Sequence, residues 1–272
     1  MNDLDALTTT RSWTRSRKPF NEDAVSAGPG WVCVVDGATP LGSDPDGNRK
    51  TSAFASRLAG AVGPGLTPGN ITEHLRAALQ HAQDGGQHGA TATIAAAAWD
   101  GDTVATAIMG DSLILLELKS GETEDLQDPA FEGREARLLA PVIDAMAAGL
   151  APGDAYAAAV PVLRSEREKR NTEAGVWVMS DSTAPADAAA HLSVRTFPRE
   201  TVHRIAAVTD GMWRAVELFG ITTPAGLLDA AQNDAVDPVL DALVQAEAAD
   251  PDRSSYPRFS FADDAALAFA AL

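Results

Sequence analysis

The sequence predicts an α+β fold in one layered domain, and three observations predict it. Apolar runs of strand length occur at residues 31–35, 92–99, 103–109, 113–118, 175–179, 203–208 and 265–270. Several of these follow one another across turn-sized gaps instead of alternating singly with helices, which favours hairpin-built sheets over a doubly wound parallel sheet. Helical patterns fill the other gaps, and 45% hydrophobic content in 272 residues is enough for one large core.

Taken in order, the run 31–35 holds Cys33, the only cysteine, so a disulfide within the chain is impossible and a buried structural thiol is expected. A Thr39-Pro40-Leu41-Gly42 loop leads to a helix over 51–62, and a second helix over 71–83 starts at Asn70 and Glu73, spaced as a capping box. The runs 92–99 and 103–109 flank Asp100-Gly101, a hairpin turn between strands that pair directly. Ala-rich helices are expected over 134–148 and 154–163. The break at 149–153 between them is too short for an interdomain linker, so the expectation is one domain over 1–272. Helices at 224–231 and 237–248 precede the last strand, and no internal repeat is visible.

The formal net charge of −17 argues against nucleic acid and anionic membrane surfaces as partners, because counterion release needs a basic face. A phosphorylated ligand meets the same repulsion, so a phosphate site here requires local positive charge from a metal, Arg or Lys. Residues 1–10 carry Asp3 and Asp5 and lack the basic and apolar blocks of a secretory signal. No apolar run approaches membrane-spanning length, so a cytoplasmic protein is expected, and a monomer is the separate expectation for its assembly. Abundant Ala, Gly, Asp and Arg with little Lys suits a GC-rich bacterial gene.

Three apolar runs finish alike: Val32-Cys33-Val34-Val35 leads to Asp36-Gly37, Ala107-Ile108-Met109 to Gly110-Asp111-Ser112, and Ala206-Ala207-Val208-Thr209 to Asp210-Gly211. Asp263-Asp264 opens the final strand. If these strands share layered sheets, their ends bring the carboxylates to one edge, where they resist joint ionisation unless cations intervene. Oxygen-only sites suit hard ions such as magnesium or manganese. Asp-Gly is also a common hairpin turn, but Asp36-Gly37 precedes a loop and Asp210-Gly211 the helix-like 212–218, and neither has a partner strand waiting.

At these residues the chain resembles the metal-dependent protein phosphatases of the PPM, or type 2C, family. Asn21-Glu22-Asp23-Ala24, Val35-Asp36-Gly37, Gly89-Ala90-Thr91-Ala92, Gly110-Asp111-Ser112, Thr209-Asp210-Gly211 and Asp263-Asp264-Ala265 resemble the family's motifs in order along nearly the whole chain. The resemblance implies a four-layer sandwich of two stacked antiparallel sheets flanked by helices. It further implies that Asp36 bridges two Mn2+ or Mg2+ ions, with Glu22 and the Gly37 carbonyl completing one site and Asp210 and Asp263 holding the other. Asp111 resembles the ligand of a weaker third ion. A bridging hydroxide then attacks the phosphorus of a phosphoserine or phosphothreonine in a phosphorylated protein substrate.

Three positions depart from the family pattern. The phosphate-binding Arg four residues before the motif's Glu is replaced by Lys18, which cannot form the bidentate fork of a guanidinium, so either Lys18 binds the phosphate with looser geometry or the adjacent Arg17 swings in. Ala38 stands where some members carry a His proposed as general acid, so leaving-group protonation must come from elsewhere. Residues 122–171, where the family's mobile flap falls, are helical and Ala-rich.

Other features read as ordinary structure. His74 and His81 are two helical turns, about 10.5 Å, apart and too far to share a metal. His88 lies in a loop without a motif. Gly42 to Thr51 lacks the Lys directly after Gly47 that a phosphate loop needs. The alternating charges of 164–170 read as a solvated helix end, and Trp177 and Trp213 as core. Lys18 and Ala38 also leave open a catalytically silent binding module of the same fold, and the site would serve a small-molecule phosphoester equally well.

Overall fold

The computed structural model describes residues 9–38, 46–83, 85–86 and 89–272. The loop at 39–42, His88 and the start of the Gly42 to Thr51 stretch fall outside the described residues. The elements run β1 (Thr9–Arg15), β2 (Asp23–Gly28), β3 (Trp31–Gly37), α1 (Gly47–Ala61), α2 (Ile71–Gln83), β4 (Thr91–Trp99), β5 (Thr103–Met109), β6 (Leu113–Leu118) and β7 (Thr123–Leu126). They continue with α3 (Arg134–Ala147), α4 (Pro152–Glu168), β8 (Met179–Ser180), α5 (Pro185–Ala189), β9 (Ser193–Pro198), β10 (Val202–Val208), α6 (Asp210–Trp213), α7 (Pro224–Gln232), α8 (Val236–Ala249) and β11 (Ala265–Ala271).

Two antiparallel sheets form, one ordered β1-β11-β10-β6-β7 and the other β2-β3-β4-β5-β9, with β8 paired to the start of β4. Alternation along each strand sorts the side chains into layers. In β3, Val32 and Val34 face the opposite sheet, packing with Ile114, Leu116, Ile205 and Ala268. Cys33 and Val35 face the other way, against Phe54, Leu58, Leu75 and Leu79 of α1 and α2. The outer face of the first sheet packs Leu115, Val208 and Phe269 on Leu227 and Leu228 of α7 and Leu240 of α8. The order helix, sheet, sheet, helix is the four-layer sandwich that the family resemblance implies. Cys33 is fully enclosed, and burial pushes its thiol pKa up, as a structural thiol requires.

The apolar runs of the inner strands form as expected, whereas β1, β2, β7 and β9 carry no comparable run, and all four are sheet edges. Edge strands bury less and so need fewer apolar residues, as the mixed burial of Thr9–Arg15 and Ser193–Pro198 illustrates. The expected strand over 175–179 is corrected to Met179–Ser180, because the preceding residues fold back on the end of α4: Asn171 N–H donates to Val176 O at 2.9 Å. The expected capping box also moves. Asn70 Oδ1 accepts from Thr67 N–H at 2.8 Å, while Glu73 pairs with Arg76 on the surface. Among the described residues no helix is long and apolar enough to cross a membrane.

α3 and α4 form a helical hairpin over the expected flap segment, packed through Leu139, Val142, Ala155 and Tyr156 against Phe259.

Candidate active site

Strand ends from both sheets meet at one rim. Antiparallel pairing sets the start of one strand beside the end of its neighbour. Asp23 therefore faces Asp36 across β2 and β3, and beyond the Val208–Leu267 pair of β10 and β11 the Thr209 N–H donates to Ala266 O at 3.1 Å, which brings Asp210-Gly211 beside Asp263-Asp264. Two bonds tie the sheets together there: Thr209 Oγ1 donates to Asp23 Oδ2 at 2.9 Å, and Glu22 N–H donates to Asp264 Oδ2 at 2.8 Å. Within the second sheet Asp36 pairs in register with Thr93, whose hydroxyl lies 2.8 Å from Ser112 Oγ and also bonds Asp111.

Gly110 makes the turn into Asp111 with φ at +103°, and a Cβ there would stand 2.3 Å from Thr93 Cβ, so only glycine fits. Asp128, buried at the end of β7, accepts from Gly110 N–H at 3.0 Å and fixes the turn.

The electrostatics follow from this crowding. Asp36 is hydrogen-bonded to Asp210; burial first, then Asp23, Asp210 and Asp111, hold its carboxyl well above the usual carboxylate range. Asp23 is raised in the same way by burial and by Asp263 and Asp210. Asp111, at the floor of the cleft but open to solvent, is pushed up to about 6 by desolvation and by Asp210, against the pull of Arg170. Among the described residues no three acidic, His or Cys side chains converge on one point as they stand. The donor set is nonetheless all oxygen, carries excess negative charge, and includes Asp264 Oδ1, buried without a hydrogen-bond partner. Such a set fits hard divalent cations.

Asp36, Asp111 and Asp210 thus come together with Asp23, which the sequence reading held inside a motif without assigning it a role. Glu22 and Asp263 occupy the adjoining side, gathered by Lys18. Its Nζ is 3.0 Å from Glu22 Oε2, 3.1 Å from Asp263 Oδ1 and 3.4 Å from Asp264 Oδ2. Burial lowers the ammonium pKa, but Asp263, Asp264 and Glu22 outweigh it and hold it above the ordinary lysine value. Asp263 Oδ2 also accepts from Arg214 Nη2 and from Ser260 Oγ, each at 2.8 Å. Gly37 is buried, and its N–H donates to Glu22 O at 3.0 Å. Arg17 turns to Glu247, with Nη1 at 3.7 Å from Oε2, and lies over the Phe261 ring.

A cavity of about 350 Å³ opens beside this floor, lined by Asp111, Asp210, Glu135, Leu139, Trp213 and Arg214. Glu135, in the first turn of α3 with its side chain still reaching solvent, is pushed up to about 7 by desolvation at the cavity wall and by Asp210, with Arg214 opposing. The reading of 164–170 as a solvated helix end is corrected here. Arg164 is exposed, but Arg167 and Arg170 turn inward, and burial lowers both guanidinium pKa values while Asp111 opposes that shift. Arg214 carries a sequence signal in its position four residues after Asp210; Glu135 and Arg170 carry none. Trp213 joins the core behind α6, whereas Trp177 is half-buried at the edge of the core and stacks on the exposed His191 at 3.8 Å.

No family model matches the chain, and no curated protein matches it in sequence. Solved structures do. The catalytic domain of the serine/threonine protein phosphatase PstP in complex with two manganese ions has 16% identity, covering 97% of this chain and 96% of that one, with a TM-score of 0.53. Stp1 from Staphylococcus aureus has 13% identity over 98% and 94% of the two chains, with a TM-score of 0.55. The PPM phosphatase MsPP from Mycobacterium smegmatis, in complex with cacodylate, has 16% identity over 97% of each chain, with a TM-score of 0.52. The two stacked antiparallel sheets, the flanking helices and this end-to-end overlap give the chain the fold of the bacterial PPM-type serine/threonine phosphatases.

Proposed function

We propose that the chain is a metal-dependent phosphoprotein phosphatase that hydrolyses phosphoserine and phosphothreonine, working as one catalytic domain in the cytoplasm. The observation that carries this reading is the rim itself: Asp23, Asp36, Asp111 and Asp210, drawn from both sheets, crowd one cleft floor, where burial and the charge of Asp210 raise the carboxyl pKa values of Asp23, Asp36 and Asp111. Mn2+ or Mg2+ would be held by Asp36, Asp111, Asp210 and the Gly37 carbonyl, with Glu22 and Asp263 alongside. When bound, the ions would lower the pKa of water at the site and polarise the phosphoryl oxygens.

The protein's own groups do the rest. Thr209 and Thr93 hold Asp23 and Asp111 by hydrogen bonds, so the carboxylates are oriented before an ion arrives. Lys18 and Arg214 balance the charge of Glu22 and Asp263, and the two cations hold the Asp263 carboxyl below its ordinary value. The cavity lined by Glu135 and Leu139 receives the part of the substrate beyond the phosphate, so the α3–α4 hairpin contributes to substrate choice.

The test compares wild type with Asp36→Asn on a phosphothreonine peptide and on p-nitrophenyl phosphate, with and without Mn2+. Metal-dependent turnover that Asp36→Asn abolishes is the expected result, and full activity in that variant removes Asp36 from the mechanism. Calorimetric binding of Mn2+ without turnover on either substrate supports a silent binding module instead. Turnover confined to the aryl phosphate points to small phosphoesters.

A further inference from the structure

We propose that Arg170, delivered by the end of α4, is the guanidinium that grips the phosphoryl group in the cleft, in place of the first motif's basic residue. The inference rests on the phosphatase reading above and deepens it. Both basic residues beside the first motif are engaged elsewhere: Lys18 with Glu22, Asp263 and Asp264, and Arg17 with Glu247 and Phe261. A transferring phosphoryl group still needs fixed positive donors.

Arg170 is in the right place. Its Nη1 donates to Thr91 Oγ1 at 3.2 Å, and Thr91 O accepts from Ala38 N–H at 2.9 Å, so the guanidinium lies against the corner formed by Asp36, Gly37 and Ala38. The fields of Asp111 and Asp36 reach it, yet among the described residues it makes no ion pair. Its Nε is enclosed and has no hydrogen-bond partner. An enclosed charged donor left unmatched is costly, and a dianionic tetrahedral group is the acceptor that suits a planar fork of N–H bonds.

The position is also built to be held. Asn171 takes φ of +58°, its N–H donates to Val176 O at 2.9 Å, its Oδ1 accepts from Val178 N–H at 2.8 Å, and its Nδ2 donates to Thr183 Oγ1 at 2.7 Å. Gly175 packs so closely that a Cβ would stand 2.1 Å from Lys169 O. The turn that aims Arg170 is thereby pinned on both sides, which is what a phosphate anchor requires. Because this anchor sits on the α3–α4 hairpin, the element that meets the rest of the substrate also holds its phosphate.

The experiment uses the full Mn2+-loaded chain as wild type, Arg170→Ala, Arg170→Lys and, as a control for bulk charge, Arg164→Ala. The readouts are kcat/KM on p-nitrophenyl phosphate and a phosphothreonine peptide, the affinity for inorganic phosphate, and the Mn2+ affinity by calorimetry. Arg170→Ala is expected to lose on the order of 10- to 100-fold in kcat/KM and in phosphate affinity, with Mn2+ affinity unchanged. Arg170→Lys recovers part of the loss, and Arg164→Ala matches wild type. Folded Arg170→Ala with wild-type phosphate affinity, or with a loss explained by Mn2+ affinity alone, overturns the assignment. Should Arg170→Ala fail to fold, Arg170→Lys decides, and wild-type kinetics and phosphate affinity there overturn it as well. A wild type that never turns over sinks the phosphatase reading itself, and phosphate affinity then still judges Arg170 separately.

Discussion

Thr209 Oγ1 donates to Asp23 Oδ2 at 2.9 Å, and this bond joins the end of β10 in one sheet to the start of β2 in the other. The same hydroxyl accepts from Ala266 N–H at 2.9 Å, so one side chain serves the sheet and the carboxylate at once. Thr209→Val keeps the shape and removes both roles, leaving a buried carboxyl and a buried N–H without this partner. A loss of about 1–3 kcal/mol is expected, read as a lower urea midpoint with unchanged slope. A variant as stable as wild type shows that the bond between the sheets contributes nothing.

Lys18 supplies the positive charge among Glu22, Asp263 and Asp264, two of which are nearly inaccessible. Lys18→Met keeps the stem and removes the ammonium. In chelator the variant should lose about 2 kcal/mol, a figure already reduced for partial exposure of the lysine. Divalent cations bring charge to the same carboxylates, so Mn2+ should narrow the gap between variant and wild type. Parallel urea titrations with chelator and with Mn2+ check this, and a gap that widens on adding metal contradicts it.

What the sequence discloses about this site depends on how local each cause is. Asp36, Asp111 and Asp210 are legible because each closes an apolar run beside a glycine, and Asp100-Gly101 is legible as a turn because Asp100 N–H simply pairs with Thr103 O at 3.0 Å. The inner strands announce themselves through burial on both faces, whereas β1, β2, β7 and β9 lie at edges and read as polar connections. Arg170 is illegible for another reason. Alternating charges at 164–170 look like a solvent face, and only the left-handed Asn171 and the loop folded back to Val176 turn that helix end inward. Glu135 likewise acquires its environment from the packing of α3 over a distant floor.

The raised carboxyls make a pH prediction. Asp111 near 6 and Glu135 near 7, with Asp23 and Asp36 also raised, lie above the unfolded value of about 4, so over that interval the folded state binds more protons than the unfolded one. Their contribution to stability therefore declines as pH climbs from about 4 to about 7. Asp263 works in the opposite sense: burial alone would raise it, but Arg214 and Lys18 hold it low, so its contribution is lost in acid. Metal ions and protons compete for the raised carboxylates. In chelator, the melting temperature should fall between about pH 5 and about pH 7, and Mn2+ should restore more at the higher pH, as activity rises over the same range. Equal Mn2+ shifts at both pH values contradict the shared-floor arrangement.

Gly211 marks where the two halves of the rim approach most closely. A Cβ at this position would stand 1.9 Å from Asp264 O and 3.1 Å from Asp263 Cβ, and the first of these is backbone that a rotamer change cannot move. Asp210 and Gly211 open α6 directly after β10, so relief of the clash must shift either the helix start or the strand entry of β11. Either movement separates Asp210 from Asp263-Asp264 and alters the bond between Glu22 N–H and Asp264 Oδ2. Gly211→Ala should therefore cost at least ~2 kcal/mol in stability and weaken Mn2+ binding together with it, by the same mechanism as overpacking in a core. Gly101→Ala is the matched control, since a Cβ there meets nothing within 4 Å. Urea unfolding and Mn2+ calorimetry on both variants decide the matter: a Gly211→Ala protein with wild-type stability and metal affinity would mean that the rim has slack the close packing of Gly211 on Asp264 denies.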